Sequence, residues 1–330
     1  MSRADEIFVE MCRDILENGT STEGELVRPH WEDGSSAYTI KKFGVVNRYD
    51  LQKEFPAITL RKTYIKSCTE EMLWIWQRKS NNVNNLNSSV WDEWADETGS
   101  IGKAYGYQLA QKFVHHTVKD LPVNTDARYK RLSEIKAELE GYPSAEIQLI
   151  ETYSEENGSS TYRAQILLDQ VDAVIWDLKH TPFSRRIMTN IYVHKDLHEM
   201  HLSPCAYSMT FNVTQRKDED RLTLNAVLNQ RSQDVLAANN WNVCQYAVLV
   251  YMLAQVCDMN PGELIHVIAD AHIYDRHVPI IEEMIERPQH PAPKFWLNPE
   301  IKDFYQFTTN DIKITDYVTG EQIKNIPIAV

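Results

Sequence analysis

No run of the chain is long and apolar enough to span a bilayer. The longest apolar run, Tyr246 to Cys257, is interrupted by Gln255 and is too short. The N-terminus carries no apolar signal segment. Ile7, Phe8, Met11, Ile15 and Leu16 fall at helical spacing and Asn18-Gly19 follows, so an amphipathic helix with a C-cap is expected. Positive charge is scarce, with 34 Lys and Arg against 47 Asp and Glu and a formal net charge of −13. That balance argues against a nucleic-acid-binding surface, because affinity for a polyanion comes mainly from neutralised phosphates. Any phosphate bound here must be met by a local knot of arginines. The five cysteines, Cys12, Cys68, Cys205, Cys244 and Cys257, are odd in number and show no CxxC spacing, so a reduced, cytoplasmic protein is expected. Internal repeats and low-complexity segments are absent, and there is no βαβ regularity. One α+β domain over 1–330 is the expectation.

The pattern along the chain places the rest. Tyr38 to Val46 alternates as a strand, and YIKSCTEEMLWIWQR (64–78) has the spacing of a helix with Leu73, Trp74 and Trp76 on its apolar face. Residues 107–163 differ in character and read as an insertion packed on the main domain. It is expected to hold a charged helix over 126–140, a strand over 145–153 and a turn at Asn157-Gly158-Ser159-Ser160. Ile166 to Leu178 resumes a helical pattern, Ile187 to Val193 is strand-like, and two further strands lie between Cys205 and Val227. An apolar helix covers 242–257, with Asn260-Pro261-Gly262 closing it and Leu264 to Ile268 as a buried strand. The tail Ile326-Pro327-Ile328-Ala329-Val330 is apolar, so it is expected to dock.

Several residues carry chemistry on their own terms. Cys205 follows a Pro at a strand start; it is either a small buried hydrophobe or a nucleophile, and Arg231 could supply the cation a thiolate needs. Arg28, Arg185, Arg186 and Arg231 stand in turn contexts on an acidic chain, which favours anion binding over a solvated basic surface. Glu71 on an apolar helix face must be capped by partners or be a tuned acid or base. Trp91 and Trp94 are core residues or a platform for a flat heterocycle. His194, His198 and His201 in HKDLHEMH have i,i+4 metal-ligand spacing, but no HExxH pattern is present and no metal is expected. For His272 and His277 in DAHIYDRH, hydrogen bonding is favoured over ligation.

The fragments EMLWIWQ, VWDEWADETGSIGKAYG, DQVDAVIWDLKHTPFSRR, SPC, NQRSQD, NWNVCQYAVLVYMLAQVC, DAHIYDRH and PIAV resemble thymidylate synthase in order and approximate spacing. The resemblance covers nearly the whole chain outside the insertion. It implies a mixed β-sheet packed by helices and an enzyme that methylates dUMP to dTMP with 5,10-methylenetetrahydrofolate as co-substrate. By that resemblance Cys205 is the nucleophile that adds to C6 of dUMP. Arg28, Arg231 and Ser232 hold its phosphate, joined by Arg185 and Arg186 from the other subunit of a homodimer. Asn242 pairs with the uracil edge, His272 and Tyr274 with the deoxyribose, and Glu71 and Tyr105 organise proton transfer. Asp234 meets the pterin ring, while Trp91, Trp94, Leu202, Ala238, Trp241, Ile328 and Ala329 line the folate pocket. A dUMP hydroxymethyltransferase of the same fold is the alternative, adding water where the synthase adds hydride. The sequence departs from the family at Ala206, where many members have His, and at Ala237 to Trp241 in place of a frequent Leu-Gly-x-Pro-Phe. Arg61 stands where a Lys often meets the folate glutamate tail.

Overall fold

The computed structural model describes residues 2–215, 217 and 219–329. It opens on helix α1 (Arg3–Asn18), whose Ser2 side chain caps the Ala4 amide and whose Gly19 amide closes on Ile15. Strands β1 (Thr20–Ser21) and β2 (Thr39–Asp50) come next, then α2 (Ile65–Met72). The single helix expected over 64–78 is in fact two pieces, because α2 widens into a π turn at Leu73–Gln77. Such turns recur at functional sites, and this one begins two residues after Glu71.

A short helix α3 (Gly106–Leu109) leads into a three-stranded antiparallel sheet of order β3-β5-β4, made of β3 (Phe113–Leu121), β4 (Glu146–Ser154) and β5 (Ser159–Leu168). Helix α4 (Thr125–Glu138) lies between β3 and β4 and buries Ile135. The expected helix and β4 are found in this region; β3 and β5 were not expected. Ile166 to Leu168 belong to β5 rather than to a helix. Helix α5 (Gln170–His180) starts only after Asp169, whose carboxylate accepts from the Val171 and Asp172 amides. Ala164, Ile166 and Leu168 are fully buried and join the main hydrophobic cluster, so this sheet packs on the rest of the domain.

The main sheet has the order β1-β2-β10-β8-β7-β6. Its remaining strands are β6 (Met188–Asn190), shorter than the expected 187–193, β7 (Ala206–Thr214), β8 (Thr223–Gln230), β9 (Gln233–Asp234) and β10 (Asn260–Tyr274). Neighbours run antiparallel except that β8 and β9 lie parallel to β10. Between β9 and β10 runs α6 (Asn239–Val256), apolar on all sides and buried along nearly its whole length. It starts three residues earlier than expected and ends at Val256. Asn260-Pro261-Gly262 does not close it: Asp258 turns the chain with φ +54, and the three residues already belong to β10. Gly262 is needed there because a Cβ would collide with Asn225 Oδ1. Helix α7 (Val278–Ile285) and the hairpin of β11 (Lys294–Leu297) and β12 (Ile312–Thr315) complete the α+β fold.

One face of the main sheet buries Leu224, Leu228, Leu264 and Ile268 against α6. The other face, with Val46, Val227, Ile265 and Val267, is only partly covered. Among the described residues no helix is long and apolar enough to cross a membrane. The docked tail is described to Ala329; Val330 lies outside the described residues.

Candidate active site

A cavity of about 950 Å³ opens where the C-terminal end of β8, the start of α6, the end of β10 and the chain's own tail converge. Cys205 precedes β7 on its wall. The backbone there is fixed twice: the Cys205 N–H donates to the Tyr105 hydroxyl at 3.3 Å, and the Arg231 N–H donates to the Cys205 carbonyl at 3.0 Å. The Arg231 guanidinium is held by the Ser203 and Pro204 carbonyls and stands 3.7 Å from the Cys205 sulfur. Burial pushes the thiol up, and the Arg231 and Arg28 cations only partly offset it. The resting group is therefore a thiol whose ionisation the two arginines make easier.

Tyr105 carries its own strain. Its φ of +46 is rare for an aromatic residue and costs on the order of 1–3 kcal/mol. Gly106, next in the chain, serves a close approach of its own, because a Cβ there would collide with the Ser80 carbonyl.

Glu71 lies beneath the cavity, 5% exposed. Burial raises its carboxyl to about 7, against the hydrogen bonds that favour its ionised form. Trp241 Nε1 donates to Oε2 and Gln245 Nε2 donates to Oε1, each at 3.1 Å. Both donors sit on α6 four residues apart, on one helix face. Among the described residues the buried Trp91 indole N–H meets no partner at full hydrogen-bond geometry, yet it lies near enough to Glu71 to favour the ionised carboxylate. Trp91 packs edge-on to Tyr105 at 4.8 Å and to Trp94 at 5.8 Å, so the two tryptophans form a continuous aromatic wall.

On the sheet side, His272 Nδ1–H donates to Asp270 at 2.8 Å, and Tyr274 packs edge-on to the His272 ring. Asp234 is held below the usual carboxylate range: burial opposes ionisation, but His277, 3.5 Å away, and the Ala237 amide outweigh it. His277 Nε2–H donates in turn to the Pro327 carbonyl at 2.8 Å, which ties Asp234 to the tail. Both histidines of DAHIYDRH thus serve hydrogen bonds, as the sequence led us to expect.

Arg28, Leu202, Ser232, Ala238, Asn242, Ile328 and Ala329 also border the cavity. Arg185 and Arg186 do not. They are exposed in the turn after α5, outside this chain's cavity. His194–Glu199 forms a tight 3-10 turn rather than an α-helix, so the i,i+4 face-sharing expected of His194 and His198 is lost. No group of three or more metal-ligating side chains is assembled among the described residues. Four residues escaped the sequence reading: Gln230, Gln233, Gln245 and His266. The available signal was a buried amide or imidazole inside an otherwise apolar segment, most visibly Gln245 in NVCQYAVLV.

Comparison with known proteins gives a consistent result. A family model described as thymidylate synthase matches residues 6–330. A thymidylate synthase of Bacillus mojavensis is 36% identical over 327 residues, 98% of each chain. One from Bacillus phage phi3T is 35% identical over the same span. The solved thermostable thymidylate synthase A of Bacillus subtilis superposes with a TM-score of 0.78 at 33% identity, covering 99% of both chains.

Proposed function

Since the chain belongs to the thymidylate synthase family and is a methyltransferase, we propose that it converts dUMP to dTMP in the cavity around Cys205. The observation that carries this reading is the convergence of Cys205, Arg231, Asn242 and Glu71 on one cavity wall and floor. The co-substrate, 5,10-methylenetetrahydrofolate, supplies a one-carbon unit and a hydride and leaves as dihydrofolate.

The chain's own residues do the rest. Arg28, Arg231 and Ser232 bind the nucleotide phosphate, and His272 and Tyr274 orient the sugar. Asn242 holds the uracil edge while the Cys205 sulfur attacks C6 of the ring, which makes C5 nucleophilic. Arg231 at 3.7 Å supports the sulfur as it loses its proton. Glu71 and Tyr105 manage the C5 proton; a carboxyl raised to about 7 exchanges protons readily near neutral pH.

A folate fits the residues present. Trp91, Trp94, Leu202, Ala238 and Trp241 offer an apolar and aromatic wall for a flat ring, and ionised Asp234 offers an acceptor for ring N–H groups. Ile328 and Ala329 border the cavity, and in this reading the tail closes over it after both ligands bind and excludes water. Arg61 borders the cavity, half-buried and with its Nε unpartnered among the described residues, and offers a cation to an anionic extension of that ligand.

Two copies form the working unit in this reading, each lending Arg185 and Arg186 to the other's phosphate site. The exposure of both arginines and the partly bare apolar sheet face support it. Sedimentation of the purified protein reads that stoichiometry. The chemistry is tested by incubating the protein with dUMP and methylenetetrahydrofolate, following dihydrofolate by absorbance and the nucleotide by mass. dTMP and dihydrofolate appearing together support the synthase. A hydroxymethylated nucleotide with tetrahydrofolate left unoxidised replaces hydride by water in the last step. Cys205→Ser retaining full turnover overturns the covalent route.

A further inference from the structure

Helix α2 and its π turn carry Glu71 and give way at Lys79, whose φ of +51 lies in the left-handed region. Helix ends of this kind ordinarily place glycine there, since a Cβ makes the conformation costly. A lysine at that position is explained by its side chain rather than by the turn. That side chain is only 11% exposed. Its ammonium pairs with the Asp169 carboxylate, donates to the Tyr305 hydroxyl at 2.8 Å and lies 4.8 Å from the centre of the Tyr305 ring.

These contacts belong to a closed ring. The Tyr305 O–H donates to Asp172 Oδ1, and the Ser144 hydroxyl donates to Asp172 Oδ2 at 2.6 Å. The Asp169 amide donates to the Ser144 hydroxyl at 2.9 Å, which returns the ring to the residue that pairs with Lys79 and caps α5. Ser144, Asp169 and Asp172 are all buried. Such a ring resists loosening, because freeing any member leaves a charged or polar group unpaired away from water. It therefore holds the Lys79 backbone in a conformation that a free lysine would leave.

The backbone fixed in this way supports the segment that carries Tyr105. A Cβ on Gly106 would lie 2.2 Å from the Ser80 carbonyl oxygen and 2.6 Å from the Lys79 carbonyl carbon, so Gly106 rests directly on the Lys79–Ser80 peptide. The Ile101 amide donates to the Asn81 carbonyl at 2.9 Å, and Asn81 Nδ2 donates to the Gly102 carbonyl at 2.6 Å. Residues 79–81 thus brace 101–106 at both ends. Between those braces stands Tyr105, itself at φ +46, with its hydroxyl 3.3 Å from the Cys205 amide.

We propose that Lys79 is a positioning residue: clamped by Asp169 and Tyr305, it sets the Tyr105 hydroxyl in register with Glu71 and Cys205 for removal of the C5 proton. The inference rests on the nucleotide reading above. Lys79 does not border the cavity, so its loss leaves the phosphate, sugar and base contacts in place and displaces a group that serves one step.

The test compares Lys79→Met with wild type, using calorimetry of dUMP binding and turnover of dUMP and of dUMP deuterated at C5. The deuterium effect reports proton removal whatever fraction of the protein is active. Affinity for dUMP is expected to stay within about twofold while kcat per dUMP-binding site falls by about tenfold. The deuterium effect on kcat should be at least as large as in wild type. Should Lys79→Met fail to fold, Tyr305→Phe keeps the ion pair, removes one of its holds, and is read in the same way for a loss of about threefold. An unchanged kcat per binding site in the folded variant overturns the inference. So does an equal loss of dUMP affinity, or a deuterium effect smaller than in wild type, which would place the defect in another step. Each of these leaves the nucleotide reading standing. Wild type that does not turn over dUMP overturns the nucleotide reading itself.

Discussion

The indole N–H of Trp241 donates to Oε2 of Glu71 at 3.1 Å, so an aromatic residue of the cavity wall directly holds the buried carboxylate beneath it. A hydrogen bond to a charged group contributes about 1.5–3 kcal/mol. Trp241→Phe keeps the ring and removes the donor. The Glu71 midpoint should then rise from about 7 by roughly one pH unit or more, since one pH unit corresponds to about 1.4 kcal/mol. Infrared titration of the carboxyl C=O band, taken as the difference from Glu71→Gln, reads this without any turnover. An unmoved midpoint would remove Trp241 from any role in tuning Glu71.

Glu71 also makes stability depend on pH. Its folded value, about 7, lies above the ordinary glutamate value of 4.5 that holds in the unfolded chain. The folded state therefore binds more protons between those values. The contribution is fully present below about 4.5 and is lost as pH rises through 7. Glu71→Gln should thus be more stable than wild type at pH 8, by up to about 3 kcal/mol, and gain little at pH 4. Urea denaturation at the two pH values gives the comparison; equal gains at both would contradict the assignment.

Arg231 lowers the ionisation cost of the Cys205 thiol that burial has raised. Replacing it with Met should push the thiol further up. Alkylation by iodoacetamide near neutral pH should then slow by roughly tenfold for each pH unit that the thiol rises. Alkylation at the wild-type rate would mean that the 3.7 Å contact carries no electrostatic weight.

His277 joins Asp234 to the Pro327 carbonyl and is itself raised: burial opposes its charge, but Asp234 and the tail carbonyl outweigh that. His277→Phe should release the tail. Faster amide exchange over residues 321–329, with the rest of the protein unchanged, is the expected signature, and unchanged tail protection would refute the pin.

A last prediction concerns the join between the smaller sheet and the main domain. Lys79 pairs with Asp169 and donates to the Tyr305 hydroxyl at 2.8 Å, while Tyr305 donates to Asp172. Asp172 also accepts from the Ser144 amide and hydroxyl. Tyr305→Phe leaves a buried carboxylate and an ammonium each one partner short, at a cost of about 1–3 kcal/mol. A loss below about 0.5 kcal/mol in chemical denaturation, the range of an ordinary surface change, would show that water replaces the hydroxyl.

Local pattern was enough for much of the fold. Alternation marked β2, an all-apolar run marked α6, and an N-terminal amphipathic stripe with Asn18-Gly19 marked α1. It failed where tertiary contact overrode local preference. Ile166 to Leu168 share a helical spacing with the residues of α5, yet they pair with β3 and β4, and the helix waits for Asp169 to cap it. Asn260-Pro261-Gly262 looks like a stop, yet Asp258 has already turned the chain and Gly262 serves a close approach to Asn225.

By itself the sequence determined the family and many of the side chains that border the cavity with Cys205, because motif residues are carried in the chain itself. It also determined that a charge such as Glu71 on an apolar helix would need partners. Which partners those are, only the tertiary structure decided. Trp241 and Gln245 lie 170 and 174 positions further along the chain than Glu71. Spacing along a chain holds no record of such a meeting; the packing of α6 against α2 makes it.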